Sequence, residues 1–204
     1  MSKIAIFGAG GHGKVVADVA ELNGFNEIFF YDDDLHKRFN WEIHGNFQAL
    51  SQSIHCFDLV FVAIGNNRLR VSLQESLKKS GGKFGVLTHP KSVISKYASI
   101  GEGTIIMANV VVNSYAHIGE CCILNTASTV DHDCFIDHGV HICPGVNLAG
   151  GVKIGKFTMI GIGSQLKEGI NIGSNVVAGA GSNIIKNIDD NLKIFGNPAI
   201  KINQ

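Results

Sequence analysis

An excess of charge is missing from this chain: 17 Lys and Arg stand against 17 Asp and Glu. Without a basic surplus it has no electrostatic footprint for nucleic acid or an anionic membrane surface. A long apolar run is missing as well. The opening stretch, MSKIAIFGAGG, breaks at Gly8, too early for a signal peptide or a membrane-spanning helix. Nor is there an ordered cysteine pattern. Five cysteines, odd in number and irregularly spaced, fit a reduced cytoplasmic protein.

What the chain does have is a period of six. Every sixth residue from Ile94 to Ile184 is aliphatic. A second small or aliphatic residue follows four places later, from Ala98 through Cys122, Cys134 and Val152 to Ile188. Hexapeptide repeats of this type read as a parallel β-helix, three hexads making one triangular coil of about 18 residues. Two inward positions per hexad suit a thin solid core extended one layer per coil. Cys122 and Cys134 fall inward, whereas Cys121 and Cys143 are expected to face outward. Glycine recurs just after the aliphatic residue (Gly101, Gly119, Gly155, Gly161, Gly173, Gly179), where an unusual backbone angle is expected.

Residues 1–88 read differently. KIAIFGAGGHG is a strand followed by a glycine-rich turn. Val15, Val16, Val19 and Leu22 then take helical spacing up to Asn23-Gly24. EIFFYDDD and DLVFVAIGNN are strands ending in polar turns, and Leu69, Leu73 and Leu77 mark a second helix with Gly81 as its cap. Strands alternating with helices imply a small parallel sheet. Gly8, Gly10 and Gly13 form GxGxxG between strand and helix, with Asp32 some 20 residues on, a pattern that lets backbone approach a pyrophosphate. The segment has room for little more than one mononucleotide half, which favours a nucleotide diphosphate such as a nucleotide sugar over NAD. The fold expected is a small Rossmann-like domain over 1–88, followed by a β-helix over 89–204.

Of nine histidines, His117, His132, His138 and His141 lie in the repeats, all off the inward positions. His132 is flanked by Asp131 and Asp133, and a carboxylate beside an imidazole orients it and favours its protonated form. A three-histidine zinc site, as in β-helix carbonic anhydrases, needs ligands one coil apart. His117 stands 15, 21 and 24 residues from His132, His138 and His141, never 18, which argues against metal.

GAGGHGKVVADVA with YDDD and AIGNN, the hexad array containing ILNTASTVDHDC, and the terminal FGNPA together resemble the nucleotide-sugar N-acetyltransferases of the bacillosamine and sialic-acid-modifying type. The resemblance covers essentially the whole chain. It implies a left-handed β-helix, a homotrimer with acetyl-CoA bound between subunits, and acetyl transfer to the amine of a UDP- or dTDP-linked 4-amino-4,6-dideoxy sugar for surface polysaccharide or glycan precursors. It implies that Gly10, Gly11 and His12 contact the nucleotide sugar, with Asp32, Asp33 and Gly65 nearby. His132 would be the general base and Asp133, where members often carry Glu, its partner. His141 would contact acetyl-CoA, Gly150 would offer its N–H to the oxyanion, and Ile162 and Ala180 would line the coenzyme slot, Ala180 replacing a family Gly. A sialic acid O-acetyltransferase shares these features, and a non-catalytic NAD-sensing or scaffold protein would use both motifs as structure only.

Overall fold

In the computed structural model, residues 2–37 and 40–202 are described. The chain divides into two compact units, Met1–Thr88 and His89–Gln204.

The first unit is a three-stranded parallel sheet, β1 (Lys3–Phe7), β2 (Glu27–Tyr31) and β3 (Leu59–Val62), in the order β2-β1-β3. The order reverses across β1, so the carboxyl end of β1 is a topological switch point, where α/β sheets bind ligands. Helices α1 (Gly11–Leu22), α2 (Phe47–Ser53) and α3 (Asn67–Lys79) cover the sheet. Phe7, Tyr31, Leu50, Ile54, Phe57, Val62 and Leu77 form a core cluster. No helix among the described residues is long and apolar enough to cross a membrane.

Two helical stripes differ from expectation. In α1 the buried face is Gly13, Val16, Ala17, Val19 and Ala20, while Val15 and Leu22 are exposed. Small residues face the sheet because helix and strand approach closely. In α3, Leu69 is exposed and Arg70 is buried, 1% accessible. Its guanidinium donates to the carbonyls of Ile64 and Gly65 and to Asn67 Oδ1, satisfying backbone at the end of β3.

The second unit is the left-handed β-helix. Two-residue strands pair in parallel one coil apart, as in Ile123↔His141 and Thr129↔Asn147. The first face stacks Ile105–Ile106, Ile123–Leu124, His141–Ile142, Met159–Ile160 and Val177–Ala178. The second runs from Val93–Ile94 through Thr129–Val130 and Asn147–Leu148 to Asn183–Ile184, and the third from Ser99–Ile100 through Phe135–Ile136 to Asn171–Ile172. Every aliphatic residue of the six-period from Ile106 to Ile184 is buried, as is the second layer from Thr104 to Ser182. The inward phase read from the sequence is the one observed.

Three details of that reading are corrected. Left-handed backbone falls three residues after the aliphatic position, not one. Every sixth residue from Gly103 to Gly181 has φ between 55° and 71°, including Tyr115, Ala127, Asp133 and Phe157. The glycines just after the aliphatic residue serve close packing instead. A Cβ on Gly101 would lie 2.5 Å from Glu120 N, and on Gly119 2.7 Å from His138 N. Cys121 is buried at 2% accessibility despite its off-core position, at a corner where it follows Gly103 and precedes Gly139 by one coil. Ile188 pairs with Ile172, a spacing of 16, because the last coil is two residues short. A closing hairpin, Lys193–Gly196 with Ala199–Lys201, ends the array.

These corners make opposite predictions for glycine and alanine. Gly119→Ala pushes a methyl into backbone that cannot yield and is expected to cost about 1–3 kcal/mol. Ala127→Gly, at φ 57° on an exposed corner, is expected to gain about 1 kcal/mol. Denaturant midpoints measure both.

Candidate active site

At the carboxyl end of β1 the glycines divide by role. Gly8 has φ 114°, and a Cβ there would meet Ala63 O at 2.7 Å; Gly13 packs α1 against Gly8. Gly10, Gly11 and Gly65 have no atom within 4 Å of where a Cβ would be. Those three line open space. No side chain caps the N-terminus of α1 and its first turn holds no acid, which leaves an end suited to an anion.

The other residues singled out in this unit sit around that turn. Asp32 accepts from Ala9 N–H at 2.7 Å, Asp34 N–H at 3.0 Å and Lys37 Nζ at 2.9 Å. Partial burial pushes its carboxyl up, but the bonds from Asp34, Lys37 and Ala9 outweigh that and hold it below the usual range. Asp33 accepts from Phe47 N–H and fastens the start of α2. Both acids thus shape the loops. His12 Nε2 is buried with no hydrogen-bond partner among the described residues. Burial, followed by the charge of Arg70, pushes its pKa down to about 4, so the ring is neutral near pH 7.

On the β-helix, His132, Asp133 and Gly150 meet at the edge between the second and third faces. His132 Nδ1–H donates to Asp133 Oδ2 at 2.7 Å. That bond leaves Nε2 as the free basic atom, the tautomer being assigned from the partner. The bond to Asp133, then the charge of Asp131, raise the imidazole above its ordinary value. The two flanking acids therefore differ. Asp131 does not touch the ring; its Oδ1 accepts His132 N–H at 2.8 Å and Asn113 Nδ2 at 2.7 Å. Asn113 was not singled out in the sequence. Its signal is the 18-residue offset from Asp131.

Gly150 stands one coil beyond His132. A Cβ on it would lie 2.6 Å from His132 Cε1 and Nε2, so the ring rests on the bare glycine. The Gly150 N–H is also open. The N–H two residues after an aliphatic position is taken by the preceding side chain where that is Asn or Asp, as with Asn125, Asp131 and Asp137. Ala149 offers no such acceptor, and no group among the described residues takes the Gly150 N–H. Ile162 and Ala180 follow Gly161 and Gly179 and leave their N–H groups open in the same way.

These two lie elsewhere, one above the other on the edge between the first and second faces. His141 is on the first face, accepting at Nε2 from Asn125 Nδ2 at 3.2 Å. One chain thus holds the imidazole pair and the Ile162–Ala180 column on different edges, with the second face between them.

A second imidazole–carboxylate pair was not singled out. His138 Nδ1 donates to Asp137 Oδ1 at 2.8 Å on the remaining edge. That oxygen also accepts His138 N–H at 2.7 Å, and Phe157 packs against the ring. Lys156, not glycine, stands one coil beyond it. Among the described residues no three His, Cys, Asp or Glu side chains gather as a metal site.

Comparison with known proteins follows this geometry. A family profile described as the PglD N-terminal domain matches residues 3–77. UDP-N-acetylbacillosamine N-acetyltransferase of Bacillus subtilis (strain 168) is 37% identical over 53% of this chain and 52% of its own, so the match spans about half of that relative. GDP-perosamine N-acetyltransferase of Escherichia coli O157:H7 is 30% identical over 83% of this chain and 80% of its own. Among solved structures, the acetyltransferase domain of PglB from Neisseria gonorrhoeae FA1090, in complex with acetyl coenzyme A, is 40% identical over 98% of both chains with a TM-score of 0.94. PerB from Caulobacter crescentus, in complex with CoA and GDP-perosamine, is 32% identical over 100% of this chain and 98% of its own with a TM-score of 0.95.

Proposed function

The chain belongs to the family of nucleotide-sugar N-acetyltransferases built on a hexapeptide-repeat β-helix, and we propose that it carries the acetyl group of acetyl-CoA to the amine of a nucleotide-linked 4-amino-4,6-dideoxy sugar. The observation that carries this reading is the His132–Asp133 pair with an open Gly150 N–H against the ring. Both relatives named above are sugar N-acetyltransferases, which favours an amine over a hydroxyl acceptor. One is named for a UDP sugar and the other for a GDP sugar, so the pyrimidine nucleotide expected from the sequence is not carried forward.

Each residue has a chemical task. Gly10, Gly11 and Gly65 line the open turn that would receive the diphosphate, with neutral His12 beneath it. Asp32 and Asp33 hold the loops that shape it. The sugar ammonium loses its first proton to solvent, and His132 Nε2 then takes the proton that the attacking amine sheds. The amine nitrogen forms the amide bond to the acetyl carbon as the carbon–sulfur bond breaks, and His132 returns a proton to the departing thiolate. Gly150 N–H faces the oxygen on which negative charge develops. Acetyl-CoA, the acyl donor, would be held by His141 and by the open N–H groups of Ile162 and Ala180. Since those groups sit on another edge from His132, a complete site calls for a second copy, in keeping with a homotrimer whose coenzyme lies between subunits. The cytoplasm is the compartment proposed, where the five cysteines would stay reduced.

An acetyl-CoA turnover assay against UDP-, dTDP- and GDP-linked 4-amino sugars tests the proposal. Release of CoA with at least one is expected; release with none, or equal release with hydroxyl sugars, would overturn it. A second expectation concerns pH. The imidazole is raised by Asp133, so kcat/KM should fall as pH drops through a value above the ordinary 6.5 of histidine. Asp133→Asn removes the largest cause and should move that acid limb downward while lowering kcat. Asparagine tolerates the left-handed angle of Asp133, φ 58°, so the fold is kept.

A further inference from the structure

We infer that the exposed Tyr97–Tyr115 stack is the platform on which the sugar ring of the substrate lies while its amine is presented to His132. This rests on the acetyl transfer proposed above. The two rings are parallel within 16°, their centres 5.5 Å apart. They are 55% and 67% accessible, so much aromatic surface outside their mutual contact is left in water.

Their place ties them to the base. Tyr97, Tyr115 and Asp133 occupy the same corner of three successive coils. Asp133 N–H donates to Ser114 O at 3.2 Å, so Tyr115 is one strand spacing, about 4.8 Å, from the acid that orients His132. Tyr115 is also held at φ 61°. A bulky side chain there is an outlier, and at 67% accessibility burial does not offset the strain. Glycine fills the same corner in the later coils, at Gly151 and Gly169. The bulky ring is thus kept on left-handed backbone one coil from the acid that orients the base.

The chemistry matches one occupant. A dideoxy pyranose has an apolar C–H face, which an aromatic ring covers well while the polar rim stays wet. Lys96 Nζ lies 4.9 Å from the Tyr97 ring centre and places a positive charge at the far end of the stack. The coil of Lys96 is two spacings before that of His132, roughly 10 Å. That is enough room for one hexose. The rings would face the sugar's apolar side and the charge its polar rim.

The test is steady-state kinetics on the full-length enzyme with both substrates varied, beside melting and size-exclusion measurements. Tyr115→Gly is expected to melt no lower than wild type, keep the oligomer, and raise KM for the nucleotide sugar about tenfold. KM for acetyl-CoA should stay within about twofold, and Tyr115→Phe, which keeps the ring face, should recover most of the loss. An unchanged sugar KM in Tyr115→Gly would overturn the inference. So would loss of the oligomer with both KM values raised, which would assign the rings to a contact between copies. Both outcomes leave acetyl transfer standing, whereas a wild-type enzyme inactive on every amino sugar would overturn the functional reading and this inference together.

Discussion

The His132→Ala enzyme is expected to fold, bind nucleotide sugar as before, and turn over about 10²–10⁴ times more slowly, the share a positioned general base contributes. The side chain is 61% accessible, so its loss opens no cavity. Among the described residues its side-chain hydrogen bond goes to Asp133, itself 64% accessible, so no partner is stranded in the interior. Stability and substrate affinity should therefore separate from rate. A variant that keeps turnover within a few-fold of wild type would exclude His132 as the base. His138→Ala is the matched control, since it removes the other imidazole–carboxylate pair. It is expected to leave turnover near wild type.

Gly150→Ala is expected to be nearly as damaging with a lighter touch. A methyl there would lie 2.6 Å from two ring atoms of His132, so the imidazole must move aside. Gly150 does not have positive φ, so alanine does not strain the backbone. The three nearest atoms it meets all belong to the exposed side chain of His132, so the fold has an easy way to yield. The base does not: misplacing it, and crowding the N–H that faces the oxyanion, should cost about 10²–10³-fold in kcat. The double variant His132→Ala with Gly150→Ala decides whether the contact is the cause. With the ring gone the methyl has room, so the second substitution should add much less than it costs alone. Additive losses would assign Gly150 a role independent of His132.

Much of this was legible in the sequence because the repeat states its own geometry. A period of six names the inward residues, and three periods name the neighbour one coil away. By that rule His132 points to Gly150, Asp131 to Asn113 and Tyr97 to Tyr115. Where the rule gives only position and not environment, the sequence misleads. Cys121 is off the inward phase and yet buried. The recurrent glycines suggested unusual backbone angles, but they mark where coils approach too closely for a Cβ. Arg70 was hidden behind the leucine stripe of α3, since apolar spacing gives no sign of a buried cation that satisfies the end of a strand. Ile188 kept the period in sequence and lost it in space, because nothing local announces a coil two residues short.

The offset between His132 and Gly150 makes the reaction depend on counting. Gly150 follows His132 by 18 residues, and no local turn brings them together. Apart from His141 and Ala149, substitutions along 134–149 that respect the inward phase leave the count intact, so most of that stretch can drift without touching chemistry. A single deletion there moves every later side chain to a different position on its coil. Adding a whole coil beyond Ala180 would lengthen the prism and leave both the meeting and the Ile162–Ala180 column in place. Such an enzyme can grow by steps of one coil while its chemistry stands still.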